Sequence, residues 1–396
     1  MTERPDLNRL RGDWSYPTAI RFGPGRIEEL PAACAALGIT RPLLVTDPGL
    51  AGHALGERVL GLARAGLPTG LFADIRPNPT GADVTAGVEA FRAGSHDGVI
   101  ALGGGSALDA AKAIAFMVPQ ERPIWDFEDR GDNWRRAIAE GLAPVVAVPT
   151  TAGTGSEVGR AAVISNQDTH HKAIIFHPQM MPGQVIADPE LTLGLPPNLT
   201  AWTGIDALSH SLEALCAPGF HPMADGIATE AIRLIKRWLP RAVEDGQDLA
   251  ARASMLAAAS MGAIAFQKGL GAMHAMAHPI GGLLDRHHGL TIAIVMPYVL
   301  VANRPAIEQP MARLASILGL PQADFDGLLG WVMELRSDLE IPSDLGALGV
   351  GEEHLEVLAP RAAADPSAGG NPLPLDPSGY EDLYRRAMRG ALLAAP

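Results

Sequence analysis

Along the first half of the chain, short apolar runs alternate with stretches of helical period. Residues 16–22 alternate β-branched and aromatic side chains with others and stop at Gly23-Pro24-Gly25, which predicts a strand closed by a turn. Residues 27–37 have helical spacing, and 41–47 place Leu43, Leu44 and Val45 in a short buried strand ending on Asp47. The cycle repeats with a helix over 52–65, a strand over 70–73, a loop at Pro77-Asn78-Pro79-Thr80, a helix over 83–94 and a strand over 97–102. Residues 144–148 and 157–164 read as further strands. Strands separated by single helices predict a parallel sheet covered by helices, an α/β fold. After Asp188-Pro189-Glu190-Leu191 the pattern changes: alanine and leucine dominate, and helical period persists to about Leu300 and beyond. The expected division is therefore an α/β domain over 1–187 and an all-helical domain over 188–396.

Two strand ends carry loops that suit a ligand. One reads Gly103-Gly104-Gly105-Ser106-Ala107-Leu108-Asp109-Ala110-Ala111-Lys112. Its glycines admit a ligand close to the backbone, and N–H groups at the start of a helix attract phosphate. The same residues also read as an ordinary helix start, capped by Ser106 with Asp109 completing a capping box. The other loop, Pro149 to Glu157, offers Thr150, Thr151 and Thr154 at the carboxyl edge of the sheet, where open α/β folds bind ligands. Together the loops favour a nucleotide, although neither is the G-x-G-x-x-G fingerprint.

The second half carries the histidines. Four of the twelve, His274, His278, His287 and His288, fall within fifteen residues. His274 and His278 share one face of a helix. Pro279 and Gly281-Gly282 predict that this helix breaks and lets His287 and His288 return to the same place. Asp206 and His210 repeat the four-residue spacing on a helix whose Ile205, Leu208, Leu212 and Leu215 are core-like. Asp206 reads either as a charge near a helix start or as a buried carboxylate in need of a partner. Asp206, His210, His274 and His288 would supply one oxygen and three nitrogens, a set that suits iron(II) or zinc before magnesium.

Composition narrows the function. The 396 residues are 47% hydrophobic and 19% charged, as in a globular enzyme. A net charge of −13, with no long basic run, argues against nucleic acid. The N-terminus lacks the apolar centre of a signal peptide, and the apolar run over 255–266 is too short to span a bilayer. With two cysteines there is no disulfide framework. A cytoplasmic enzyme without a membrane partner is expected.

The glycine loop with Asp109 and Lys112, the segment from Pro149 to Glu157, Asp206-Ala-Leu-Ser-His210, and His274 through His288-Gly289 resemble the iron-containing (group III) alcohol dehydrogenases, in the same order from about Tyr16 to Asn303. Arg41 to Asp47, Asp188 to Thr192, Ala224 to Ala228 and Phe266 to Gly271 are most similar to the 4-hydroxybutyrate dehydrogenase-like members. The resemblance implies a nucleotide-binding domain, a helical domain and an active site in the cleft between them. It implies that Asp206, His210, His274 and His288 hold the metal, Fe2+ or another divalent first-row ion such as Zn2+. It places His278 beside nicotinamide and substrate, with Asp47 meeting the adenosine ribose of NAD. Asn78, Gly103, Gly104, Gly105, Ser106, Asp109, Thr150, Thr151, Thr154 and Lys172 match dinucleotide-contacting positions.

If 157–164 is a strand, Gly159, Ala161 and Val163 share the face that by resemblance borders the substrate. Arg160 then points away as the partner of Glu157 or another acid, or a bulge at Gly159 turns it inward to bind a substrate carboxylate. The implied reaction is reversible NAD-linked oxidation of a short primary alcohol or ω-hydroxy acid to its aldehyde by direct hydride transfer, in a homodimer or higher homo-oligomer. A hydroxyacid–oxoacid transhydrogenase that never releases its nicotinamide, and a dehydroquinate-synthase-like lyase, are the alternatives. The lyase would need a basic pocket, whereas the metal loops are nearly free of lysine.

Overall fold

The computed structural model describes residues 18–392. The chain forms two compact units. One runs up to Thr200 and takes in Glu244–Ser260; the other joins Ala201–Val243 to the chain from Met261 onward.

In the first unit, β1 (Ala19–Phe22), α1 (Leu30–Ala36), β2 (Pro42–Val45), α2 (Pro48–Ala51), α3 (Ala54–Gly66), β3 (Gly70–Phe72), α4 (Gly81–Ala93), β4 (Gly98–Gly103), α5 (Gly105–Met117) and β5 (Val145–Pro149) follow one another. Of the first expected strand, Tyr16 and Pro17 lie outside the described residues. A hairpin of β6 (Ala161–Asn166) and β7 (His171–Phe176) then precedes β8 (Gln184–Ala187). The main sheet is parallel, in the order β1-β8-β5-β4-β2-β3. Its central strand β4 is buried at every position, as expected where helices cover both faces. Leu44, Ile100 and Val146 lie in one row across the sheet, with Leu102 and Val148 in the next. They pack with Leu30, Ala33 and Cys34 of α1 and with Val59 and Ala63 of α3. Chain order reverses between β2 and β4, so the crevice at the carboxyl ends of these strands is the topological switch point.

Two expectations are corrected here. Residues 156–158 form a 3-10 turn and the strand begins at Ala161, because Val158 N donates to Gly155 O and Gly159 N to Ser156 O, while Lys112 Nζ takes the carbonyls of Ser156 and Gly159. Ser106 is not a cap: α5 starts after Gly104 with no side-chain cap, and the Ser106 hydroxyl donates to the carbonyl of Pro77.

Beyond β8 the chain is helical: α6 (Pro197–Cys216), α7 (Pro222–Glu244), α8 (Leu249–Ala265), α9 (Ala272–Leu284), α10 (His288–Ile317), α11 (Phe325–Asp338), α12 (Leu355–Ala363) and α13 (Pro377–Arg389). The region around α8 and α10 is long and apolar enough to cross a membrane by composition, yet more than half of each is buried within the protein. The helix break expected at Pro279 is also corrected. Helix α9 runs through Pro279 to Leu284, and the chain turns at Asp285, which takes a left-handed conformation (φ 53°). Every residue of α9 from Ala272 to Gly281 is buried, and that packing outweighs the loss of one backbone donor, which costs about 3 kcal/mol in a helix interior.

Candidate active site

The glycine loop and the threonine loop meet at the carboxyl ends of β4 and β5, beside the switch point. Gly103 has φ 142°, and a Cβ there would press on Ala107, so only glycine fits. A Cβ on Gly104 would lie 3.3 Å from Thr151 Cγ2, and one on Gly105 would lie 2.5 Å from Thr154 Cγ2. Thr150 N donates to Gly103 O at 3.0 Å. The uncapped amino end of α5 is thus enclosed by Thr150, Thr151 and Thr154 without side-chain bulk, the arrangement that binds phosphate through backbone N–H groups. Asp47 lies at the end of the adjacent strand. Its Oδ1 accepts from Leu50 N at 2.9 Å, and its Oδ2 lies 3.7 Å from where a Cβ on Gly103 would sit. On the hairpin, Lys172 Nζ donates to Asn78 Oδ1 at 2.6 Å.

Asp109 and Lys112 face inward. Asp109 accepts from Ser156 Oγ at 2.5 Å and from Val163 N at 2.9 Å. The fully buried Lys112 Nζ lies 3.3 Å from Asp109 Oδ1 and donates to the carbonyls of Ser156, Gly159 and Ala161. This pair fixes the segment bearing Gly159, Ala161 and Val163 against α5. Glu157 is buried and bonded to Ser260 Oγ at 2.7 Å, with burial raising its carboxyl above the ordinary range. Arg160 therefore does not pair with Glu157. Its guanidinium lies over the Phe176 ring at 5.6 Å and partly offsets the burial that raises the Asp129 carboxyl.

In the helical unit, α6 brings Asp206 and His210 to the histidines of α9 and α10. One ligand atom each from Asp206, His274 and His288 lies within 4.8 Å of the others. His210 joins them: its Nε2 is 3.8 Å from Asp206 Oδ1, and its ring stacks on His274 at 4.9 Å. His288 Nε2 is 3.6 Å from the same oxygen, and at 26% exposure its side chain is the most accessible of the four. Asp206 Oδ1 and His274 Nε2 are buried without a hydrogen-bond partner among the described residues. Buried polar atoms left unserved by protein in a carboxylate–imidazole cluster fit a divalent first-row cation. Burial raises the Asp206 carboxyl to about 6. Burial also disfavours the charged form of His274, but Glu213, then Asp206 and Asp365, outweigh it and leave that imidazole raised.

Three supporting residues went unread in the sequence. Glu213 Oε2 bonds His274 Nδ1 at 2.6 Å, and Oε1 accepts from Met273 N at 2.7 Å. A carboxylate only accepts here, so Nδ1 carries the hydrogen and Nε2 turns its lone pair to the cluster. Asp365 bonds His278 Nδ1 at 2.9 Å, and His278 stacks on His288 at 5.3 Å. Asn371 accepts from Ala272 N at the start of α9. The spacing of Glu213 from His210 on one helix was a usable signal, whereas the two C-terminal residues had none. His287, which had no assigned role, caps α10 through its ring and lies 5.0 Å from Trp202.

Two family models cover most of the chain: iron-containing alcohol dehydrogenase over residues 17–189, and the C-terminal part of the Fe-containing alcohol dehydrogenase family over 200–388. The chain is 38% identical to a 4-hydroxybutyrate dehydrogenase of Cupriavidus necator, covering 94% of this chain and 99% of the relative. A crystal structure of 1,3-propanediol oxidoreductase superposes with a TM-score of 0.90 at 34% identity, covering 95% of this chain and 99% of that one. The sulfoacetaldehyde reductase of Bifidobacterium kashiwanohense, in complex with NAD+, gives 0.86 at 29% identity, covering 96% and 99%. With the glycine loop and the carboxylate–histidine cluster both in place, the chain belongs to the iron-containing alcohol dehydrogenase family and interconverts an alcohol and its aldehyde.

Proposed function

We propose that the enzyme uses NAD and a divalent cation, Fe2+ foremost, to oxidise a short primary alcohol or ω-hydroxy acid reversibly in the cytoplasm, as a homo-oligomer. The observation that carries this reading is the cluster of Asp206, His274 and His288, two of whose buried atoms have no hydrogen-bond partner among the described residues. Asp206, His210, His274 and His288 would hold the cation, with Glu213 orienting His274. Bound there, the cation supplies Lewis-acid polarisation of the alcohol or carbonyl oxygen, and the nicotinamide supplies the hydride acceptor.

The chain's own residues do the rest. Backbone N–H groups of the loop from Gly103 to Ser106, flanked by Thr150, Thr151 and Thr154, receive the pyrophosphate, and Asn78 and Lys172 complete that side. Asp47 accepts from the ribose hydroxyls and repels a 2′-phosphate, which favours NAD over NADP. His278 takes the alcohol proton and passes it towards solvent. Ala161 and Val163 are small and half-buried, which leaves room for a substrate longer than ethanol. Arg160 is assigned a structural part, on the strength of its contact with Phe176. The relative acting on 4-hydroxybutyrate supports an ω-hydroxy acid as substrate.

Replacing His274 tests the reading directly. In His274→Ala, bound metal measured by elemental analysis and turnover of 4-hydroxybutyrate and 1-butanol are expected to fall together while the circular dichroism spectrum is kept. A variant with stoichiometric metal and an undiminished rate would refute the ligand assignment.

A further inference from the structure

We infer that Asp365, on the turn after α12, is a positioning residue that fixes which nitrogen of His278 carries the hydrogen; its consequence for turnover rests on the part proposed above for His278. The two side chains are buried, at 4% and 9% exposure, and meet through Asp365 Oδ2 and His278 Nδ1 at 2.9 Å. The other carboxylate oxygen, Oδ1, accepts from Ser367 N at 2.8 Å. Both oxygens are therefore committed to donors, and a carboxylate offers no hydrogen in return. Nδ1 must carry the hydrogen, and Nε2 is left as the sole acceptor on the ring. Stacking on His288, with 15° between the ring planes, sets the tilt of the imidazole and so the direction of that lone pair.

The turn that bears Asp365 is fixed to the same helix at its far end. Asp365 caps the 3-10 turn Pro366–Gly370, which Asn371 follows. Asn371 Oδ1 accepts from Ala272 N at 3.2 Å, and its side chain exchanges two hydrogen bonds with Asn303 of α10, at 2.8 and 2.9 Å. A Cβ on Gly370 would collide with the Leu270 carbonyl, so the turn lies against the chain entering α9. Residues 365–371 thus span from the first turn of the histidine helix to His278 and hold both. A surface-like stretch of alanine, glycine and proline gains a function from the carboxylate at its start.

The test follows from the two occupied oxygens. In Asp365→Asn the amide oxygen is required by Ser367 N, so the NH2 group faces His278 Nδ1. That nitrogen must then accept, and the hydrogen moves to Nε2. The measurement is 15N NMR of histidine-labelled, zinc-loaded full-length enzyme, with the His278 signals assigned by their loss in His278→Gln. Wild type is expected to show a protonated Nδ1 and an acceptor Nε2, and Asp365→Asn the reverse. Zinc content should be unchanged, because Asp365 is not in the ligand group. With the tautomer reversed, kcat is expected to fall roughly 10-fold or more at nearly constant KM. Asp365→Asn combined with His278→Gln should be no slower than His278→Gln alone.

A wild-type spectrum with the hydrogen on Nε2 overturns the inference without any variant. So does an unchanged spectrum in Asp365→Asn. A reversed tautomer with unchanged kcat upholds the positioning by Asp365 and refutes the proton transfer proposed for His278.

Discussion

Two carboxylates on α6 face the same histidine, and the protein treats them differently. Glu213 has a backbone donor on one oxygen and an imidazole donor on the other, whereas Asp206 Oδ1 is buried without one among the described residues. The carboxyl of Asp206 is accordingly raised to about 6 by burial, with Glu213 adding to the rise and His274 opposing it. A folded-state value above the ordinary 3.8 means that the fold prefers the protonated form until pH rises through about 6. A cation must displace that proton, so cation affinity is expected to fall as pH drops below about 6, measured by competition with a chromogenic chelator. In Glu213→Gln the amide hydrogens compete for His274 Nδ1, and cation affinity is expected to fall about 10- to 100-fold across the whole pH range. At this scale the sequence revealed what spacing can reveal. Asp206, His210 and His274 stood out because four-residue steps put them on helix faces. Asp365 acts on a histidine 87 residues away, a distance over which no local pattern carries information.

Helix α10 owes its approach to α6 to a missing side chain. A Cβ on Gly289 would collide with the carbonyl oxygen of Trp202 and lie 3.4 Å from Asp206 Cβ. Gly289→Ala is expected to push the first turn of α10, with His288, away from Asp206. Overpacking of this kind costs about 1–3 kcal/mol, so a lowered melting temperature should accompany weakened cation binding. The elements of the α/β unit were legible because its strands are short apolar runs bounded by glycine and proline. The exceptions share a cause. Pro279 signals a break and Glu157-Val158-Gly159 a strand only by local preference. Burial of the whole α9 turn overrides the first, and the turn bonds to Gly155 and Ser156, with Lys112 on the carbonyls of Ser156 and Gly159, override the second.

For the molecule as a whole, a cation held by this cluster would add stability as well as chemistry. A ligand that binds only the folded state adds about 2.7 kcal/mol at a hundred times its Kd. Adding a chelator is expected to lower the melting temperature, and restoring Fe2+ or Zn2+ to recover it. Asp206→Asn should melt at one temperature in both conditions; a chelator effect of wild-type size in that variant would place the stabilising ion elsewhere.

The interleaving of the two units has a consequence during synthesis. Residues up to Thr200 cannot close as a finished unit until Glu244–Ser260 has been made, and by then Ala201–Val243 of the other unit has already emerged. At the usual 5–20 residues per second, the sixty-residue wait from Thr200 to Ser260 lasts roughly 3–12 s. Throughout it Glu157 lacks the hydroxyl of Ser260 that it meets in the finished protein. A ribosome stalled just short of Ser260 should therefore display a Pro149–Glu157 loop still open to protease, and one stalled some forty residues past it, clear of the exit tunnel, a loop already shut.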